Sequence, residues 1–142
     1  MGIKLKDILT EGVSKSKIQE IIDKVYPWVV KDLGGKHLRV EIHNNIYKRL
    51  DAVGVQMLQA ENNPTAEYDW DLKRIYIYAS AVKNEEEVIK ALLHEHTHSL
   101  QNRARFQKMY DDGKNYRNHP YEIAARRSEN KSKKFLKYLD KS

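Results

Sequence analysis

Five consecutive residues, His94-Glu95-His96-Thr97-His98, constrain this chain more than any other feature. They match the pattern H-E-x-x-H. On a helix, positions i and i+4 project from one face a turn apart, so His94 and His98 can both reach one zinc ion at about 2.0–2.1 Å. Glu95 lies beside the first imidazole on the same side of the helix. It can take a proton from a metal-bound water without ligating the metal. His96 points away from the pair and reads as a packed or capped core histidine. With 6 His and 11 Glu in 142 residues, a chance match is expected roughly 0.02 times. The run is therefore read as a metal site rather than as a surface helix that happens to carry histidines.

The surrounding pattern supplies the helix that the motif requires. Asn84 is a good N-cap, Glu87 stands three residues later, and Glu85, Glu86 and Glu87 suit the positive end of the helix dipole. Val88, Ala91, Leu92 and Leu93 form the apolar side. The spacing predicts a helix running to about Met109 and a break at Asp111-Asp112-Gly113. A last helix is predicted from near Pro120, a residue at home in a first turn, toward Leu139.

The chain contains no cysteine. Disulfide frameworks and Cys-based zinc fingers are thus excluded, and any metal must sit on His and carboxylate. Hydrophobic residues at 40% and charged residues at 32% place the chain among globular proteins. The length predicts a single domain over residues 1–142. No apolar run approaches the roughly 20 residues of a membrane span. The first residues lack the apolar core of a signal peptide, and Lys6 stands where myristoylation wants Ser or Thr. The expectation is a cytoplasmic protein with no membrane partner. The net charge of +6 is concentrated in a basic C-terminal helix at residues 126–142, where seven Lys and Arg face Glu129 and Asp140. Such a tail can seek nucleic acid or an acidic partner, but a solvated helix face is the preferred reading.

Earlier in the chain, Ser16 with Gln19 forms a capping box ahead of Ile18, Ile21, Ile22, Val25 and Val29 at helical spacing. Pro27 is expected to interrupt or kink this helix, and Gly34-Gly35 to end it. Leu38, Val40 and Ile42 alternate with polar residues as in a half-buried strand. Residues 53–60 suggest a second strand, and Asn62-Asn63-Pro64 a turn. Residues 67–70 and 74–78 read as a hairpin, with Ile75-Tyr76-Ile77-Tyr78 as the strongest strand signal.

A catalytic zinc usually has three protein ligands and one open position. The long peptidase signature places a further His ten residues after the first ligand. That position here is Ala104, which excludes this branch. Glu122 and His119 are the two downstream candidates. Glu122 is preferred, because a carboxylate fixed in the first turn of a helix is better placed than a loop histidine. Ala124 and Ala125 are expected to let that helix approach the metal helix closely.

The pair formed by His94-Glu95-His96-Thr97-His98 and Tyr121-Glu122-Ile123-Ala124-Ala125 resembles the gluzincins, zinc metallopeptidases with an H-E-x-x-H helix and a glutamate on a later helix. The likeness covers residues 67–127 and extends only loosely over the first 60. The small size is similar to minimal intracellular members, including phage-encoded and mobile-element-encoded peptidases. The resemblance implies an α+β fold, a zincin-like core with a small, mainly antiparallel sheet, an H-E-x-x-H metal helix and a C-terminal glutamate-bearing helix. It implies Zn2+ on His94, His98 and Glu122, with Glu95 as general base in the hydrolysis of peptide or protein substrates. The chain departs from the thermolysin-like pattern at Arg126, where an Asp would orient an imidazole, and in the 23 residues separating His98 from Glu122. Tyr110, Tyr116, Tyr121 and His119 are the candidates to stabilise an oxyanion. Tyr76 or Tyr78 is expected either to pair with an extended substrate or simply to pack within the sheet. The alternative function is a non-catalytic, zinc-stabilised binding module that uses the basic helix to hold nucleic acid or a protein.

Overall fold

The computed structural model describes residues 13–44 and 65–139. The strand expected at residues 53–60 and the turn at 62–64 lie outside the described residues, as do the ends of the chain. The described elements are α1 (Lys15–Leu33), β1 (Arg39–His43), β2 (Ala66–Asp69), β3 (Arg74–Tyr78), α2 (Glu85–Ser99), α3 (Arg103–Asp111), α4 (Pro120–Ser128), a 3-10 turn (Glu129–Lys131) and α5 (Ser132–Leu136). The fold is α+β.

The cap of helix α1 stands two residues before the expected one. Ser14, in extended conformation, accepts the Lys17 N–H at 3.2 Å, and the Val13 N–H bonded to the Val82 carbonyl fixes the entry. Ser16 therefore falls inside the first turn. Pro27 does not interrupt the helix. It sits on the exposed side, as does Asp23 one turn earlier, so the carbonyl deprived of its donor faces water. Packing of Ile18, Ile21, Ile22, Val25, Tyr26 and Val29 holds both halves in line. Gly34, at φ 89°, ends the helix by donating to the Val30 carbonyl. Gly35, at φ 83°, also adopts the left-handed backbone that favours glycine, and an added Cβ there would have to push the Leu100 side chain aside.

The strands form one sheet in the order β1-β3-β2. The β2–β3 hairpin is antiparallel as expected, but β1 runs parallel to β3, pairing Val40 with Ile75 and Ile42 with Ile77. The described sheet is therefore mixed rather than mainly antiparallel. Asp69 shapes the hairpin by accepting the N–H groups of Asp71 and Leu72. Val40, Ile42, Ile75, Ile77, Ala66 and Tyr68 join the core against α1 and α2. The other face is polar: Tyr78 donates to Glu67 at 2.6 Å and Arg74 pairs with Glu41 at 2.5 Å. Tyr76 and Tyr78 stand on the central strand, whose backbone is engaged on both sides. They pack, and β3 offers no edge to a substrate.

Asn84 caps α2 as expected, accepting the Glu87 N–H at 2.9 Å, while Glu87 accepts the Lys83 N–H. The helix ends at Ser99 instead of running to Met109. Leu100 turns its N–H back onto the Thr97 carbonyl, and Asn102 opens α3 by capping Arg105. The sequence from 100 to 105 supplies few apolar anchors to continue α2, and Asn102 is a strong helix start. The last helix is likewise divided into α4, the 3-10 turn and α5, with Ser128 donating to the Ala125 carbonyl at the join. Ala125 is fully buried where α4 crosses α2, whereas Ala124 is exposed. Among the described residues no helix is long and apolar enough to cross a membrane.

Candidate metal centre

Helix α2 runs through the middle of the molecule, packed against α1, α4, α5 and the sheet. Its motif residues are accordingly buried on every side: His94, Glu95, His96 and His98 are all at most 9% exposed. His96 faces α1. A carbonyl can only accept, so its Nε2–H donates to Gly34 O at 2.7 Å. Its Nδ1 then accepts from Tyr26 Oη–H at 2.7 Å. Burial lowers the His96 pKa and keeps the ring neutral. It is a capped core histidine, as the motif spacing indicated.

His94 and His98 face α4. Potential ligand atoms of His94, His98 and Glu122 lie within 4.8 Å of one another. Glu122 Oε1 is 2.9 Å from His98 Nε2 and 3.4 Å from His94 Nε2. The other ring nitrogens are already engaged. His94 Nδ1 is 2.7 Å from Glu129 Oε2, and His98 Nδ1 is 2.7 Å from Gln101 Oε1. When these rings are neutral, each Nδ1 carries the proton and donates it outward, so both Nε2 lone pairs point toward Glu122. Glu122 Oε1 is then buried with no donor directed at it. Three electron-rich atoms converge on one point, and only a proton or a cation can relieve them. The donor set, two imidazoles and a carboxylate, suits zinc.

Without a metal, protons fill that role. Burial by itself lowers the pKa of His94, but the carboxylates of Glu122 and Glu129 outweigh it and push the value up to about 10. Burial similarly opposes ionisation of Glu122, yet His94 and His98 bring it down to about 2. His98 is raised by the same carboxylate against its own burial. A divalent metal must therefore displace protons at pH 7. Calorimetric titration with zinc in buffers of different ionisation enthalpy should report release of at least about one proton per metal. Apparent affinity should rise with pH between about 6 and 9. Binding that is independent of both buffer and pH would contradict this electrostatic picture.

The second possible ligand, His119, is occupied. It is the N-cap of α4: its Nδ1 accepts the Tyr121 N–H at 3.1 Å, and its Nε2–H donates to Phe106 O at 2.8 Å. Both nitrogens are committed and the ring is fully buried. His119→Ala should leave zinc affinity within a few-fold while lowering stability by about 1–2 kcal/mol, the scale of a lost cap. A large loss of zinc binding with an unchanged melting temperature would transfer the ligand role to His119.

Two residues that support the site did not emerge from the sequence. Glu129 orients His94 from the 3-10 turn. It stands seven residues after Glu122, two helical turns on, so the spacing carried a usable signal. Gln101 sits in the break between α2 and α3, where its amide joins His98 to the Tyr121 carbonyl at 3.0 Å. Arg126, where the thermolysin-like pattern has an Asp, donates to the carbonyls of Tyr116 and Arg117 and braces the loop before α4.

Glu95 neighbours the three converging groups without being one of them. Burial raises its pKa; His94 and His98 oppose the rise, while Glu122 and Glu67 add to it. A cleft of about 300 Å³ reaches Glu95 and His94 and is lined also by Thr65, Lys90, Tyr116 and Glu129. On the far side, Trp70 and Phe106 pack against His98, with ring centroids 6.2 and 5.3 Å away. Comparison with protein-family models, characterised proteins and solved structures gave no match. The functional reading rests on the geometry and on the motif.

Proposed function

We propose that this chain is a zinc-dependent peptidase of gluzincin type, with His94, His98 and Glu122 as ligands and Glu95 as general base. The observation that carries the reading is the convergence of His94, His98 and Glu122, with Glu122 Oε1 buried between the two Nε2 atoms, beside a carboxylate that opens onto a cleft. A bound zinc ion would supply Lewis acidity toward a peptide carbonyl and acidify water.

The chain's own residues do the rest. Glu129 and Gln101 fix the two imidazoles in the tautomer whose Nε2 is free to ligate. Glu95 takes the proton of the attacking water on a carboxylate oxygen and hands it to the leaving amine. Its raised pKa makes it a stronger base than an exposed glutamate. Tyr116 borders the cleft beside His94 and Glu95, and it is the best placed of the oxyanion candidates. Tyr110 already donates to Glu122 Oε2 at 3.2 Å, and His119 is a cap. A zinc-stabilised binding module would account for the ligands, but it gives no role to a buried carboxylate at the cleft.

The test is digestion of a proteome-derived peptide library by the zinc-loaded protein. Cleavages that vanish with a chelator and return with zinc are expected. A library that other zinc peptidases digest, left intact by this protein under every metal condition, would favour the binding module.

A further inference from the structure

Away from the metal centre, α1 and the C-terminal turn enclose an open groove of about 400 Å³. We propose that this groove is a stacking site for single-stranded nucleic acid. Its floor is a pair of rings: Trp28 and Tyr138 stack face to face, with centroids 4.5 Å apart and planes within 6°. Trp28 remains 41% exposed. The ammonium groups of Lys31 and Lys137 sit over the two rings, at 5.3 and 5.2 Å from the centroids.

The charge around the rings is one-sided. Asp32 pairs with Lys131 at 3.1 Å and Lys134 at 3.0 Å. Lys31 and Lys137 have no carboxylate partner among the described residues. Among the described residues, Lys31, Lys134 and Lys137 line the groove with Asp32 as its one carboxylate, a balance that suits an anionic ligand.

The apolar content decides which anion. Trp28, Leu72 and Leu100 are the large apolar side chains exposed among the described residues, and of these Trp28 alone lines the groove. A protein partner needs a buried apolar core around its anchor. A nucleobase needs one flat ring, and its phosphates need ammonium groups close by. A base laid on the indole takes the position of the Lys31 ammonium, which then meets the neighbouring phosphate.

The test uses the full chain and a fluorescein-labelled oligothymidylate of about 12 nucleotides, a length matched to known single-strand sites. Binding by anisotropy should be accompanied by quenching of tryptophan emission. Trp28→Ala should weaken binding by about 5- to 100-fold and remove the quenching, and Trp28→Tyr should restore most of the affinity. The charge reversal Lys31→Glu/Lys137→Glu keeps the rings. It should weaken binding and flatten the slope of log K against log salt by about 1.4, or about 0.7 for each phosphate no longer neutralised. The proposal is overturned if Trp28→Ala binds within twofold of the parent, or if the parent shows no binding at low salt. It is equally overturned if polyglutamate competes as well as unlabelled oligothymidylate, or if duplex DNA of the same length binds more tightly.

Discussion

Glu95→Gln is expected to retain its zinc and its melting temperature while losing at least about 100-fold in peptide hydrolysis. Glutamine preserves the shape of the side chain and can still hydrogen-bond to water, but it cannot accept a proton, and general-base catalysis typically contributes about 10²–10⁴-fold. Stability should not fall. Burial raises the Glu95 pKa, so its ionised form is disfavoured in the folded protein, and a neutral amide removes that cost. The measurement is the ratio of kcat/KM for wild type and variant on one peptide taken from the library, with zinc content checked in both. Equal rates would remove Glu95 from the mechanism. Loss of zinc in the variant would instead make Glu95 a ligand.

The second large effect concerns the ligands themselves. His94→Ala and His98→Ala should each abolish stoichiometric zinc binding, because two remaining ligands cannot retain a catalytic zinc. Glu122→Ala should weaken zinc binding strongly. The consequence for the metal-free fold is different, because each variant also dismantles the buried cluster in which Glu122 is held down to about 2 and His94 up to about 10. Removing Glu122 takes away the carboxylate that two buried imidazoles share and leaves Glu129 as the carboxylate paired with His94, whereas removing His94 deprives Glu122 and Glu129 of a shared partner. Zinc content by mass spectrometry, read beside circular dichroism, separates loss of metal from loss of fold. A doubly substituted His94→Ala/His98→Ala protein that holds one zinc per chain would rule out a metal centre on α2.

The parts of this site that were legible in the sequence are those fixed within one helix. His94, Glu95 and His98 are locked together by helical periodicity, and the cap at Asn84 marks where that helix begins, so their juxtaposition needed no tertiary information. Glu122 required one further step, a carboxylate in a first turn behind Pro120. His119 illustrates the limit: as a sequence position it competes with Glu122 for the metal, and only its hydrogen bonds to Tyr121 and Phe106 reveal a cap. Gln101 was hidden because it lies where a helix was expected to continue; Glu129, two turns after Glu122, had a spacing that put it on the same face but did not tell which ring it meets. The break after Ser99 turns Gln101 back onto His98, and the 3-10 turn after Ser128 carries Glu129 onto His94. Strand alternation told which faces of the sheet are buried. It carries no information on direction, so the parallel pairing of β1 with β3 emerged only from the fold.

The most direct measurement is the anomalous signal of a crystal of this protein, grown with zinc and recorded at the zinc absorption edge. One strong peak is expected, at about 2.0–2.2 Å from the Nε2 atoms of His94 and His98 and from a carboxylate oxygen of Glu122. A crystal grown with zinc that shows no peak at that point, or shows it on His119, would contradict a zinc site built on His94, His98 and Glu122.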